Sequence, residues 1–371
     1  MSIELVTIGD EILRGQTVNT NTAEIGRRLT EEGWKIVRQT TLPDDPLLLE
    51  LGLAEALART PLVIATGGLG PTLDDLTVFV AKKLFPTSGE PIPNSVGSAP
   101  GFIFIHGKQA LFLLPGVPEE MRVMLQTSLL PYLHRHFPPP PKLFSAALYF
   151  YLLSENRVDP ILRDLQSRFP LDIGIYPSYG TLTVMLRGAD ASFVEKAKEE
   201  VAKAFQDQLL PTPKLSEAVG LWLQEHKATL AFAESCTGGF MASQITQAPG
   251  ASAYFLGSLV TYANELKEAI LGVSSNTLKA HGAVSEPTVL EMWHGLIKKT
   301  DADYGIAVSG IAGPGGGSSQ KPVGTIYYAL GKKGSTPEVG TFEVKGDRQA
   351  VILRTTQRLL AYLWRYVNRI E

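Results

Sequence analysis

The run Thr229-Leu230-Ala231-Phe232-Ala233-Glu234-Ser235-Cys236-Thr237-Gly238-Gly239 constrains this chain more than any other. Residues 229–233 are short, apolar and β-compatible, and Phe240-Met241-Ala242-Ser243-Gln244-Ile245 returns to helical spacing. A strand therefore feeds a helix through a turn holding two glycines, which is a building block of α/β folds. Backbone N–H groups at a helix start lack partners and carry partial positive charge, which suits an oxyanion. Gly238 and Gly239 remove the side chains that would keep a substrate off that backbone, and Thr237 and Ser235 add hydroxyls. Ser235 is a candidate nucleophile. Taken alone, the same residues also describe an N-cap serine opening an ordinary helix, the commoner case.

A second run, Tyr262-Ala263-Asn264-Glu265-Leu266-Lys267-Glu268-Ala269-Ile270, follows the β-like stretch 257–261. A serine hydroxyl needs a base to attack an amide, and a partly buried neutral lysine is a known one. Lys267 is the candidate base, and Tyr262 is a candidate for relaying a proton or fixing the pair, although a helical lysine is more often simply solvated. Further on, Ala307-Val308-Ser309-Gly310 runs into a glycine-rich loop and then the strand-like Val323-Gly324-Thr325-Ile326. Ser309, Gly310 and Gly313 thus occupy a strand end of the kind where α/β proteins bind ligands, against the alternative of a mobile linker. Cys236, the single cysteine, adjoins Ser235 and is weighed both as a nucleophile and as a small buried hydrophobe.

From about Leu215 onward the chain resembles the C-terminal domain of the CinA family, the PncC-type nicotinamide mononucleotide (NMN) deamidases. A-E-S-C-T-G-G, P-G-A-S, Y-x-N-E-x-K, H-G-A-V-S, G-I-A-G-P-G-G-G and K-P-V-G-T are all present in order. The resemblance implies hydrolysis of the NMN carboxamide to nicotinic acid mononucleotide and ammonia, with no metal or other cofactor required. It assigns Ser235 as nucleophile and Lys267 as its helper, aligns Tyr262 with the motif tyrosine, and places Arg348 at or near the phosphate. Ser309 stands where many members carry threonine, and keeps the hydroxyl.

The N-terminal third repeats the strand-to-glycine pattern. Ile3–Ile8 leads to Gly9-Asp10-Glu11, then to Asn19 and Asn21 and a helix-spaced Ala23, Ile25 and Leu29. The strand-like 62–65 opens into Thr66-Gly67-Gly68-Leu69-Gly70-Pro71-Thr72-Leu73-Asp74-Asp75. Such glycines let backbone N–H groups approach phosphate, and paired aspartates can hold a divalent metal ion that bridges it. Together with Leu114-Pro115-Gly116-Val117-Pro118-Glu119-Glu120-Met121, these motifs resemble the molybdopterin-binding-like domain of CinA proteins, which in some members is a metal-dependent ADP-ribose pyrophosphatase. This sequence departs from that pattern. Only 86–91 remain where relatives usually carry a few dozen residues, and Leu73 replaces the usual lysine of G-P-T-K-D-D. A pocket wall is expected to be missing and pyrophosphatase activity to be weak or absent, leaving a scaffold or dimerisation domain.

Pro138-Pro139-Pro140-Pro141 marks a domain border, and the strand and helix patterns over 143–208 suggest a small ferredoxin-like α+β sandwich. Relatives commonly carry G-I-G-E-S near its start, whereas here Tyr151-Leu152-Leu153-Ser154-Glu155 lacks the glycines. At 371 residues the chain exceeds one ordinary core. The expected architecture is α/β multidomain: a molybdopterin-binding-like three-layer domain over 1–141, a linking α+β domain over 142–212, and a CinA-type α/β domain over 213–371. A net charge of -3 without a lysine/arginine stripe argues against nucleic acid as partner. Missing apolar spans, a missing leader and the single cysteine point to a cytoplasmic protein with no membrane contact. The expected partners are pyridine nucleotides (NMN, and ADP-ribose if the first domain is active) and a second copy of the chain, since the family resemblance implies a homodimer.

Overall fold

The computed structural model describes residues 2–69, 76–138 and 143–369. Gly70, Thr72, Asp74 and Asp75, and with them the proposed metal ligands, lie outside the described residues. The chain forms two compact units, Met1–Leu143 and Phe144–Glu371.

The first unit is built on a six-stranded sheet ordered Lys35–Leu42, Ser2–Ile8, Leu62–Thr66, Gln109–Leu114, Gly101–His106, Glu90–Ile92. The first four strands are parallel and the last two antiparallel. Leu62–Thr66 is buried along its whole length, which accounts for its unbroken apolar run. Separate apolar clusters cover the two faces. Ile25, Leu29, Met121 and Leu125 belong to one, and Leu49, Leu53, Val80 and Phe85 to the other. This is the expected three-layer domain. Helix Thr77–Leu84 passes to the edge strand Glu90–Ile92 through residues 85–89 alone.

The second unit holds two sheets. Strands Phe144–Tyr151, Asp172–Ser178, Thr181–Gly188 and Leu209–Leu210 alternate with helices Glu155–Arg168 and Ala191–Ala204. The sheet is antiparallel, with Leu209–Leu210 beside Phe144–Tyr151, then Thr181–Gly188, then Asp172–Ser178. That order gives the expected ferredoxin-like sandwich. It has its own core, but Tyr151 and Leu210 also join Leu215, Val219 and Val367 in the apolar cluster of the following sheet, so the two sheets make one unit.

The C-terminal sheet is ordered Phe255–Val260, Leu230–Glu234, Tyr304–Gly310, Thr325–Lys332, Glu338–Glu343. Its first three strands are parallel, and the last two return antiparallel. Helices Leu215–Glu225, Phe240–Thr246 and Arg348–Val367 cover one face, and Asn264–Leu271 and Glu286–Thr300 the other. Gly295 allows a close helix contact here, because a Cβ at that position would lie 1.9 Å from the Leu271 carbonyl oxygen. Helix Glu286–Thr300 thereby presses directly on the end of the short helix that carries Lys267.

Candidate active site

Three neighbouring parallel strands end together. Glu234, the last residue of the central strand, is in register with Val260 on one side and Val308 on the other. The turn bearing Ser235, the segment bearing Tyr262 and Lys267, and the loop beginning at Gly310 therefore leave one edge of the sheet side by side, the usual place for a ligand site in an α/β fold.

Lys267 is 1% exposed and Ser235 7%. The lysine Nζ lies 3.0 Å from Ser235 Oγ, 2.8 Å from the Thr261 carbonyl oxygen and 3.1 Å from that of Tyr262. Carbonyl oxygens only accept, so two N–H bonds of the amine are committed to them. Its third tetrahedral position faces the serine. In the neutral amine that position is a lone pair, correctly placed to accept the Ser235 proton. Burial lowers the Lys267 pKa below its ordinary value, partly opposed by the nearby Cys236 and Glu265. Among the described residues no carboxylate ion-pairs with Nζ to restore the charge.

Cys236 sits 5% exposed in the apolar core, and burial pushes its thiol up to about 12. Thiolate is the nucleophilic form, so burial that favours the thiol works against nucleophilic chemistry at neutral pH, and Cys236 packs near Gly310, where a Cβ would come 3.1 Å from Sγ. Cys236→Ala is expected to keep catalytic activity within about threefold of wild type, measured by steady-state kinetics. A loss of about a hundredfold would return the cysteine to the mechanism.

The turn provides fewer donors than its sequence suggests. Glu234, fully buried, folds its carboxylate back over the start of helix Phe240–Thr246. It accepts hydrogen bonds from the N–H groups of Gly239, Met241 and Ala242 and from the Ser258 hydroxyl. Ser235 N–H donates to Val308 O, and Gly238 N–H to Ser235 O. The expected oxyanion hole over 235–239 thus narrows to the N–H groups of Cys236 and Thr237, neither of which is tied to a carbonyl or carboxylate among the described residues. Gly238 and Gly239 serve instead to turn the chain, at φ 60° and 94°. Glu234→Ala would leave three N–H groups and a hydroxyl without their acceptor. It is expected to lower unfolding free energy by about 3 kcal/mol or more, measured by denaturant titration, and a loss below about 1 kcal/mol would contradict this role.

Of the two roles expected of Tyr262, relaying a proton or fixing the pair, the backbone geometry bears on the second, and among the described residues no hydrogen bond joins its hydroxyl to Ser235 or Lys267. Its carbonyl holds Lys267, while its hydroxyl accepts from Arg348 Nη2 at 2.9 Å. Arg348 Nη1 also donates to Gly313 O at 2.9 Å, so this arginine joins the helix Arg348–Val367 to the tyrosine and the glycine-rich loop. That loop is no free linker. Ile311 and Thr325 pair across its base, and Lys321 Nζ donates to the carbonyls of His281 and Val284. Ser309 is buried and donates to Ala283 O at 2.7 Å, which anchors the H-G-A-V-S segment and commits its proton away from a ligand. Gly310 has no room for a side chain, since a Cβ would lie 2.4 Å from Ile326. Thr237 Oγ1 and Thr261 Oγ1 are buried without a partner among the described residues.

In the first unit Asn19 caps helix Thr20–Glu31 by accepting from Thr22 N–H, and its amide donates to Thr7 Oγ1. Asn21 donates to Thr66 Oγ1 and to Gly116 O. Of the two asparagines expected in a pocket, Asn19 thus ties strand Ser2–Ile8 to this helix, and Asn21 ties the end of Leu62–Thr66 to the segment after Gln109–Leu114. Gly67 is at φ 111°, and a Cβ there would fall 2.1 Å from Ile8 O, while a Cβ on Gly68 would fall 2.2 Å from Thr77 Oγ1. The segment after Gly9 is held by Asp10 N–H donating to Asp44, with Asp10 ion-paired to Arg14 and the Glu11 carboxylate folded against Gly9. Among the described residues no cluster of three His, Cys, Asp or Glu side chains could hold a metal ion, and no helix is long and apolar enough to cross a membrane.

The family model for the CinA C-terminal domain matches residues 212–367, and that described as "Probable molybdopterin binding domain" matches 4–135. A "CinA-like protein" of Geobacter sulfurreducens is 36% identical over 409 aligned positions, covering 98% of each chain. Another from Citrifermentans bemidjiense is 34% identical over 407, covering 99% of this chain and 98% of its own. Both alignments are longer than 371 positions, so these relatives carry residues that this chain lacks. The crystal structure of the competence damage-inducible protein A (ComA) from Klebsiella pneumoniae subsp. pneumoniae MGH 78578 shares 34% identity. It covers 42% of this chain and 97% of that one, with a TM-score of 0.41. With both domain models matched in order and relatives aligned over nearly its whole length, this chain belongs to the CinA family.

Proposed function

We propose that the C-terminal half of this chain is an amidohydrolase that converts NMN and water to nicotinic acid mononucleotide and ammonia, a step of pyridine-nucleotide recycling. The observation that carries this reading is the buried Ser235–Lys267 contact at 3.0 Å, in which two carbonyls orient the amine and burial favours its neutral form. Ser235 Oγ attacks the carboxamide carbon as its proton passes to Lys267 Nζ. The N–H groups of Cys236 and Thr237 receive the developing negative oxygen. Lys267 then gives its proton to the amide nitrogen, the C–N bond breaks, and ammonia leaves a nicotinoyl ester on Ser235. Water, deprotonated by Lys267, cleaves the ester and returns the proton to the serine.

The substrate assignment rests on the motifs shared with the deamidases and on Arg348, whose guanidinium stands beside Tyr262 and the glycine-rich loop with further N–H donors available for a phosphate. The reaction as drawn requires no metal or cofactor. The first unit acts as scaffold in this reading, and dimerisation and a cytoplasmic setting belong to the same proposal. Chromatographic detection of nicotinic acid mononucleotide formed from NMN tests it. A folded protein that binds NMN and forms no product would overturn it in favour of a nucleotide-binding role.

A further inference from the structure

A second polar cleft opens in the same unit, between the hairpin tip Ser178–Gly180 of the small sheet and the helix Arg348–Val367. It has a volume of about 310 Å3, and Lys345, Arg354, Arg358 and Tyr179 line it, with Glu343 as the acidic member. Arg354 and Arg358 stand four residues apart on the helix, where like charges face one another and repel. Neither they nor Lys345 make an ion pair among the described residues. Both guanidinium groups are held by aromatic rings instead. Arg354 lies 5.0 Å from the Tyr179 centroid and Arg358 4.8 Å from that of Phe342. Arg354 Nη1 also donates to Lys345 O, which fixes its direction. Ring faces hold a guanidinium without neutralising it and leave N–H groups open to an oxyanion.

The opposite wall is equally fixed. A Cβ on Gly180, at φ 80°, would lie 2.9 Å from Gln357 Cβ, so the hairpin tip seats closely on the helix. Leu152, which also lines the cleft, is a leucine at φ 49° with its N–H bonded to Gly180 O. Side-chain-bearing residues rarely adopt that conformation, and such strain gathers at functional sites.

We propose that this cleft is a binding site for a diphosphate-bearing small molecule, separate from the catalytic centre, with Arg354 and Arg358 as its principal ligands and Lys345 as a third cation. Charge-assisted contacts to paired arginines give such a site its specificity for phosphate oxygens.

Calorimetric titration of the full chain at low ionic strength with inorganic pyrophosphate, and separately with ADP, tests the assignment. Saturable binding is expected. It should weaken by about tenfold or more in Arg358→Gln and in Arg354→Gln and be largely retained in Arg358→Lys. It should persist in Arg348→Ala, which removes the arginine at the catalytic site. Thermal midpoints of the variants show that each is folded. Equal affinities for the two probes mean that the diphosphate alone is recognised, whereas tighter ADP binding that is lost in Tyr179→Ala identifies a nucleotide. Failure of both probes to saturate, or binding lost in Arg348→Ala and untouched in Arg354→Gln and Arg358→Gln, overturns the proposal.

Discussion

Replacing Lys267 by methionine is expected to lower NMN deamidation by about 1,000-fold or more while the protein remains folded. Methionine keeps the approximate length of the side chain and removes the one amine that hydrogen-bonds Ser235 Oγ among the described residues. It leaves the Thr261 and Tyr262 carbonyls without a donor, at about 1–3 kcal/mol each, partly offset by removing a buried amine, so thermal midpoints belong beside the rates. The same argument fixes the sign of the pH dependence. Only neutral Lys267 can take the serine proton, and burial lowers its pKa from the ordinary 10.5. The wild-type kcat/KM should therefore rise with pH to a plateau, with its midpoint below 10.5. Lys267→Met should lose that rise. A folded methionine variant within about tenfold of wild type, or an unchanged pH profile, would remove this lysine from the mechanism.

The pairing of Ser235 with Lys267 is legible in the sequence because each follows a β-like run, Ser235 directly and Lys267 in the short helix Asn264–Leu271, and neighbouring parallel strands bring the segments that follow them together. Burial of the lysine was harder to see. Asn264–Leu271 is a short helix in which Lys267 and Leu271 share the buried face. The i, i+4 relation to a leucine was the available signal, and it is weak, since long charged side chains often lie along apolar surface with their heads in water. The role of Glu234 is hidden for a different reason. An acid before a helix ordinarily reads as a favourable dipole interaction. Only the fold shows its carboxylate taking the Gly239 N–H of that turn together with the Met241 and Ala242 N–H groups of the helix that follows. The direction of the Tyr262 phenol depends on Arg348, 86 residues away in sequence, and local pattern carries no information about such a partner.

In the first unit, the sequence marks Ser2–Ile8 and Leu62–Thr66 as strands with glycines after them, whereas the parallel strand Lys35–Leu42, polar through Arg38-Gln39-Thr40-Thr41, carries no such mark. The roles of Asn19 and Asn21 did not follow. Capping and cross-strand bonds use the same amide groups as ligand binding, and the sequence alone does not separate them. The hairpin of Gly101–His106 and Gln109–Leu114 turns at Gly107-Lys108, with Gly107 at φ 62°, a two-residue connection of the kind that joins antiparallel strands. The shared packing of the two sheets in the second unit depends on a few apolar residues, Tyr151 and Leu210 among them, that look like ordinary strand residues of the small sheet.

Serine 235 is where the account is most exposed. Without its hydroxyl the proposed reaction has no covalent nucleophile, and the neighbouring thiol, pushed up to about 12, stays protonated at neutral pH. The substitution removes a single oxygen that bonds Lys267, so the fold and NMN binding should survive. The most direct measurement is ammonia release from NMN by purified wild-type and Ser235→Ala protein, in EDTA, with binding of NMN to both proteins followed in parallel. The expected result is wild-type turnover that persists in EDTA and falls by about 1,000-fold or more in a variant that still binds NMN. Undiminished ammonia release by Ser235→Ala would contradict the account.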